Sequence, residues 1–389
     1  MKLKRLPEDF QVAELTDVVP AGGDYALYRL TKRSLGTPEA IDRLLTRMKV
    51  QRHRISYGGL KDKHAHTTQH ITIRFGAPHG LVHKEIELDY LGQMDRAFTP
   101  QHIAGNRFRI VIRDLSAVAL DRARAALSEV ATSGFPNYFD DQRFGSLGAS
   151  NDFVARAWCS GDYERALWLA LADPNPDDRK EEKDQKAILR EQWGKWRDCK
   201  AALERSNRRS IVTYLADKPP ENPDYRGAFA RLRVDMRGLY LSAFQSHLWN
   251  QLLSQSLCDT VPVDRRFSVD LKTGPVPFFR TLEANERETL LGTDLPLPSA
   301  RLHLDPGPQL DRIEAVVRAN GLELRELRVK HPRDSFFSKG SRPAIILPTE
   351  VSESSEGDDL YPGRKKVALS FELPRGSYAT MLVKRITEC

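Results

Sequence analysis

The chain has 389 residues, 40% hydrophobic and 29% charged, enough for a substantial core and too long for one domain of roughly 100–200 residues. Its formal net charge of +7 favours a polyanionic partner such as nucleic acid without requiring one. Four scattered cysteines (Cys159, Cys199, Cys258, Cys389) form no CxxC pair, and no leader-like segment or run of about 18 apolar residues occurs; disulfide, zinc and membrane classes are disfavoured, and a cytoplasmic protein is expected.

Phe10 and Val12, then Ala26, Tyr28 and Leu30, alternate as in two strands separated by the turn residues Pro20–Gly23. Thr37 reads as an N-cap and Pro38 as the first residue of a helix. In that helix Ile41, Leu44, Leu45 and Met48 share one face. Arg47, Lys49, Arg52, His53 and Arg54 follow and would give positive potential to what comes next.

Next comes Tyr57-Gly58-Gly59-Leu60-Lys61-Asp62-Lys63-His64-Ala65-His66-Thr67-Thr68-Gln69. Its glycines permit a sharp turn or a close approach. Positive charge at Lys61 and Lys63 favours the carboxylate form of Asp62, which suits a nucleophile or base. The same run is also what a solvated, ion-paired turn looks like. Alternation from Gln69 to Phe75 predicts a strand leaving the loop. His64, His66 and His70 could share a strand face, but Lys61, Lys63 and Arg74 oppose a dication, and no metal is expected.

A two-sided strand is predicted from Gly105-Asn106-Arg107-Phe108, with Phe108, Ile110 and Ile112 on one side. A helix over 121–133 ends at Gly134 and leads into an aromatic run to Gly145. Ser150 would cap a helix reaching Ala172. A Pro/Asp break at 173–178 and a charged helical stretch to Arg205 follow, read as a solvated face. A helix from Met236 to Leu257 carries His247 in a structural role. Residues 262–300 read as short strands or loops, 309–320 as a helix, and 350–365 as a polar surface connection. Val367, Leu369, Phe371 and Leu373 alternate as a strand, followed by Pro374–Thr380 and a short helix.

Five blocks, in order, resemble the signatures of TruD-type tRNA pseudouridine synthases. They are Pro7-Glu8-Asp9-Phe10, G-L-K-D-K-H-A-x-T-x-Q (59–69), G-N-x-F (105–108), N-Y-F-x-x-Q-R-F-G (137–145) and L-P-x-G-S-Y-A-T (373–380). The resemblance implies a mixed α/β (α+β) protein. Its catalytic domain, 1–146 plus 346–389, would be built on a mainly antiparallel sheet and interrupted by an inserted TruD-specific domain, 147–345, with a charged elaboration at about 173–235. It implies cofactor-independent isomerisation of a uridine, position 13 in the D arm of tRNA, with Asp62 as the catalytic residue. Phe108 would stack on the base, Asn106 would hold the loop, and Lys4 would pair with Asp62. Lys61, Arg143 and Tyr378 would complete the substrate-binding set. tRNA is the implied partner, with no obligatory protein partner.

Covalent attack and proton abstraction by Asp62 both remain open. Asp140 stands where many members have glycine, and Lys384-Arg385 where many have Arg-Glu. The rivals are a non-catalytic RNA-binding protein on the same fold and a metal-dependent nuclease using the histidines.

Overall fold

The structure, a computed structural model, describes residues 1–388; Cys389 lies outside the described residues. The chain forms two compact units, Met1–Phe135 with the segment from Ile346 onward, and Pro136–Ile345. Among the described residues no helix is long and apolar enough to cross a membrane.

The first unit is built on a nine-stranded sheet. Its early strands are β1 (Phe10–Leu15), β2 (Tyr25–Arg33), β3 (Ile55–Tyr57), β4 (His66–Arg74), β5 (Leu81–His83), β6 (Ile86–Met94) and β7 (Gly105–Leu115). The order is Thr349–Gly357, Lys365–Pro374, β7, β1, β4, β2, β6, β5, with β3 also paired to β4. Only β1 and β4 run parallel; every other pairing in this sheet is antiparallel. Helix α1 (Thr37–Met48) buries Ala40, Ile41 and Leu44 against Tyr28, Leu30, Ile71, Ile73 and Leu88. Each buried Ile or Leu side chain of this set contributes about 1.5–3 kcal/mol. Helix α2 (Ala117–Ser133) is capped by Ser116 and stops at Gly134, φ +75°. The final helix, Ala379–Thr387, sends Arg385, fully buried, to Glu129 of α2 at 2.6 Å.

Several local expectations are corrected. Gly36, not Thr37, is the N-cap of α1. The Thr37 side chain turns to the Asp62 loop instead, where its hydroxyl donates to Gln69 Oε1 and accepts from the Lys61 N–H. The strand after the Asp62 loop begins at His66, three residues before the apolar alternation becomes visible. Residues 349–357 form a strand rather than a connection. Backbone pairing to Lys365–Pro374 holds it, and an edge strand with little buried side-chain surface needs no apolar pattern.

In the second unit the segment after Ser150 makes two helices, Val154–Ser160 and Tyr163–Leu171, broken at Gly161, φ +85°. Ser150 instead hydrogen-bonds Asp173. The charged stretch forms helices Lys180–Glu191 and Trp196–Ala202, which bury Leu189 and Trp196. The unit's longest helix, Val234–Thr260, buries Leu241, Phe244, Leu248 and Leu252. Within 262–300 lie a hairpin, Arg266–Leu271 with Gly274–Phe279, and an unexpected helix, Ala284–Leu291.

Candidate active site

The Asp62 loop crosses from β3 to β4, and polar side chains clamp its backbone. Gln69 donates to the Gly59 carbonyl at 3.1 Å, and Thr37 accepts the Lys61 N–H at 2.9 Å. Lys32, 1% exposed, donates to the carbonyls of Leu35 (2.6 Å), Asp62 (2.9 Å) and Lys61 (3.2 Å). Burial pushes the Lys32 ammonium down to about 8, against the raising influence of Asp62. Gly58 serves packing rather than a turn: a Cβ there would lie 2.4 Å from Ile103 Cδ1.

The lysines beside Asp62 in sequence do not pair with it. Lys63 bonds Glu39, and Lys61 donates to Asn106 Oδ1 at 2.5 Å and lies 3.3 Å from Glu14 Oε2. A side chain far away in sequence supplies the counter-charge: Lys4 Nζ is 2.7 Å from Asp62 Oδ2. Lys4 adopts a left-handed backbone, φ +51°, of the kind tolerated where surrounding structure over-determines it. Its ammonium also sits 3.9 Å from the Phe10 ring centroid. The Pro-Glu-Asp-Phe block explains how Lys4 is aimed. Asp9, buried, accepts from the backbone N–H of Arg5 and Leu6 and from the buried Arg113, while Glu8 pairs with Arg33. Asp62 and Lys4 keep 34% and 27% side-chain exposure. The carboxylate is therefore held in place yet reachable.

Behind this pair lies a second carboxylate. Glu14 has a fully buried side chain and accepts from the His70 N–H at 2.9 Å, with His70 Nδ1 at 3.2 Å. Burial pushes its carboxyl up, but the His70 hydrogen bond and the Lys61 charge outweigh this and hold it below the usual range. His70 is thus committed to Glu14. Among the described residues no group of three His, Cys, Asp or Glu could hold a metal ion.

Strand register gathers the other candidates. Asn106 opposes Glu14 and Leu373, and Phe108 opposes Val12 and Phe371, so their side chains share one sheet face. Phe108, 7% exposed, packs between Phe371 (5.6 Å, stacked) and Phe10 (6.4 Å, edge-on). Tyr378, half-buried, immediately precedes the last helix; it follows a strand end where Pro374 pairs with Gly105. Arg143 belongs to the second unit, on the Asp141–Phe144 turn, donating to Ser242 Oγ at 2.9 Å. The cations before the loop serve other ends: Arg52 bonds Ile55 O and the Tyr57 hydroxyl, and Arg54 bonds the carbonyls of Arg74 and Phe75. Sequence reasoning passed over Lys32 and gave Glu14, four residues beyond Phe10 in the opening motif, no role at the site. The available signal was phase, because Lys32 continues the buried series Ala26, Tyr28, Leu30, and Glu14 the series Phe10, Val12.

The chain matches the family model described as tRNA pseudouridine synthase D (TruD) over residues 1–386. A protein of Leptospira interrogans named tRNA pseudouridine synthase D is 31% identical over 398 residues, covering 99% of this chain and 95% of its own length. A Methanococcus maripaludis relative with the designation D 1 in the same naming series is 30% identical over 394 residues, 99% of each chain. A Methanosarcina mazei crystal structure bearing the TruD name superposes with a TM-score of 0.72 at 26% identity, covering 100% of this chain and 93% of the other. With the match running almost end to end, the chain belongs to the tRNA pseudouridine synthase D (TruD) family of pseudouridine synthases, which are isomerases.

Proposed function

We propose that this protein isomerises a uridine of tRNA to pseudouridine, position 13 of the D arm being the site, with Asp62 acting at the ribose. The observation that carries this reading is the Lys4–Asp62 pair: a carboxylate fixed at 2.7 Å from an ammonium, on a loop clamped by Lys32, Thr37 and Gln69. Isomerisation breaks the N1–C1′ bond, turns the uracil, joins C5 to C1′, and moves one proton from C5 to the medium while N1 gains one. No electron leaves the nucleoside. A carboxylate meets both chemical options, attack at C1′ or removal of a ribose proton.

The uridine must leave its stack to be reached. Phe108 and Tyr378 then bound the base, Asn106 of β7 holds the loop through Lys61, and Arg143 belongs to the RNA-binding set. Tight packing of Phe108 between two rings gives the base a rigid wall rather than a mobile finger. The test is incubation with an unmodified tRNA transcript, without cofactor, and mapping of pseudouridine by carbodiimide-based sequencing. Product is expected with the wild type and none with Asp62→Ala, RNA binding being retained. Equal product from Asp62→Ala would remove Asp62 from the reaction.

A further inference from the structure

Within the second unit, the segments 298–301 and 327–338 enclose a cavity of about 490 Å³, inside the roughly 300–1,000 Å³ range of small-molecule pockets. Its floor includes the buried side chains Leu327 and Phe337, and its rim carries four cations, Arg301, Arg328, Lys330 and Arg333. None of the four pairs with a carboxylate among the described residues. The nearby acids are engaged: Asp334 with Arg237, and Glu326 with the Glu323 N–H. One large aromatic stands among the cations. Phe336 is 56% exposed, with the Arg301 guanidinium 4.9 Å from its ring centroid.

The walls are built rather than loose. Gln245 of the Val234–Thr260 helix, 3% exposed, donates to both Pro298 O and Ser338 O and accepts the Ser338 N–H. Trp158 Nε1 holds His331 O at 2.7 Å. Cations without acidic partners around an exposed ring combine the two attractions that single-stranded nucleic acid offers, phosphate charge and base stacking. The exposed Phe336 ring offers apolar area to a stacking base, and four cations that pair with no carboxylate among the described residues leave positive potential for an anion to meet.

We propose that this hollow binds an unpaired nucleotide of the RNA substrate other than the reacting uridine, its base against Phe336 and its phosphates at Arg328, Lys330 and Arg333. The inference rests on the tRNA reading above for the identity of the RNA, and adds to it a second point of capture. Recognition of unpaired, splayed bases on aromatic rings is how proteins commonly distinguish folded RNAs.

The experiment measures anisotropy of the full-length chain with fluorescein-labelled tRNA transcript over a salt series, alongside KM and kcat for pseudouridine formation. Phe336→Ala should raise Kd and KM about tenfold at unchanged salt slope and kcat. Arg328→Ala/Lys330→Ala/Arg333→Ala should flatten the slope of log K against log salt by about 1.4, at roughly 0.7 for each of the two phosphates that flank the nucleotide. All four positions lie at the surface of the hollow, so thermal melts should stay with the wild type. Phe336→Ala binding within twofold of wild type, or an unchanged slope in the triple variant, overturns the proposal. Competition by polyglutamate as effective as that by RNA also overturns it, in favour of an acidic protein partner. Wild type that binds RNA through these residues yet forms no pseudouridine would sink the activity and leave this site standing. Normal turnover with unchanged KM in the variants would do the reverse.

Discussion

Replacing Lys32 by methionine separates the positioning of Asp62 from the stability of the fold. The Lys32 ammonium donates to three carbonyls, two of them on the Asp62 loop, and hydrogen bonds to a charged group are worth about 1.5–3 kcal/mol each. Against this, holding the group protonated at neutral pH when burial has lowered it from 10.5 to about 8 costs about 3 kcal/mol. Methionine loses the bonds and is spared the cost. The Lys61 and Asp62 carbonyls can turn to water from a loop that is partly open, leaving mainly the Leu35 carbonyl unsatisfied, at about 1–3 kcal/mol. Folding stability should therefore fall by only about 2 kcal/mol.

Turnover should suffer more, since a displacement of about 1 Å at a reacting group can cost about 10²-fold. Tritium release from tRNA carrying [5-³H]uridine, under single-turnover conditions, should drop about a hundredfold with tRNA affinity nearly unchanged. The wild-type pH profiles add a sign. The folded-state value lies below the unfolded one, so between about pH 8 and 10.5 the unfolded chain binds more protons and stability rises with pH. Activity over the same range should fall as the ammonium loses its proton, and that fall should be missing in Lys32→Met. A Lys32→Met rate within threefold of wild type would refute the reasoning.

Lys4→Met removes the counter-charge of Asp62; this partly exposed pair is worth only about 0–1 kcal/mol to stability, so the melting temperature should hold while kcat drops at least tenfold. Phe108→Ala opens a cavity between Phe10 and Phe371 and should cost about 3–5 kcal/mol. That substitution therefore cannot leave the fold untouched. Phe108→Leu, which keeps most of the volume and loses the ring, should slow single-turnover chemistry at near-normal stability. His247, stacked on Phe153 at 4.7 Å, is pushed down to about 4 by burial. The unfolded chain then binds more protons between pH 4 and 6.5, so stability should fall by about 3 kcal/mol as pH drops through that window. Denaturant titrations should show His247→Gln with a flatter acid limb.

Much of the site could be read locally. The spacing of Phe10 and Val12, of Ala26, Tyr28 and Leu30, and of Val367 to Leu373 set which face of each strand is buried, because side chains alternate with period two. The same rule marks Lys32 and Glu14 as charges in a buried phase, and these became the clamp and the inner carboxylate of the site. What the sequence by itself determined was thus which residues face inward and which family signatures they carry. Tertiary structure alone decided who meets whom. Parallel pairing of β1 with β4 brings the start of the chain beside the loop, so that Lys4, 58 residues away, takes the place beside Asp62 that adjacency in sequence offers to Lys61 and Lys63. The polar strand Thr349–Gly357 and the neighbours of Phe108 likewise follow from register between distant segments. Periodicity is a property of a few consecutive residues, whereas pairing is chosen by the burial of the whole sheet, and no short stretch of sequence contains it.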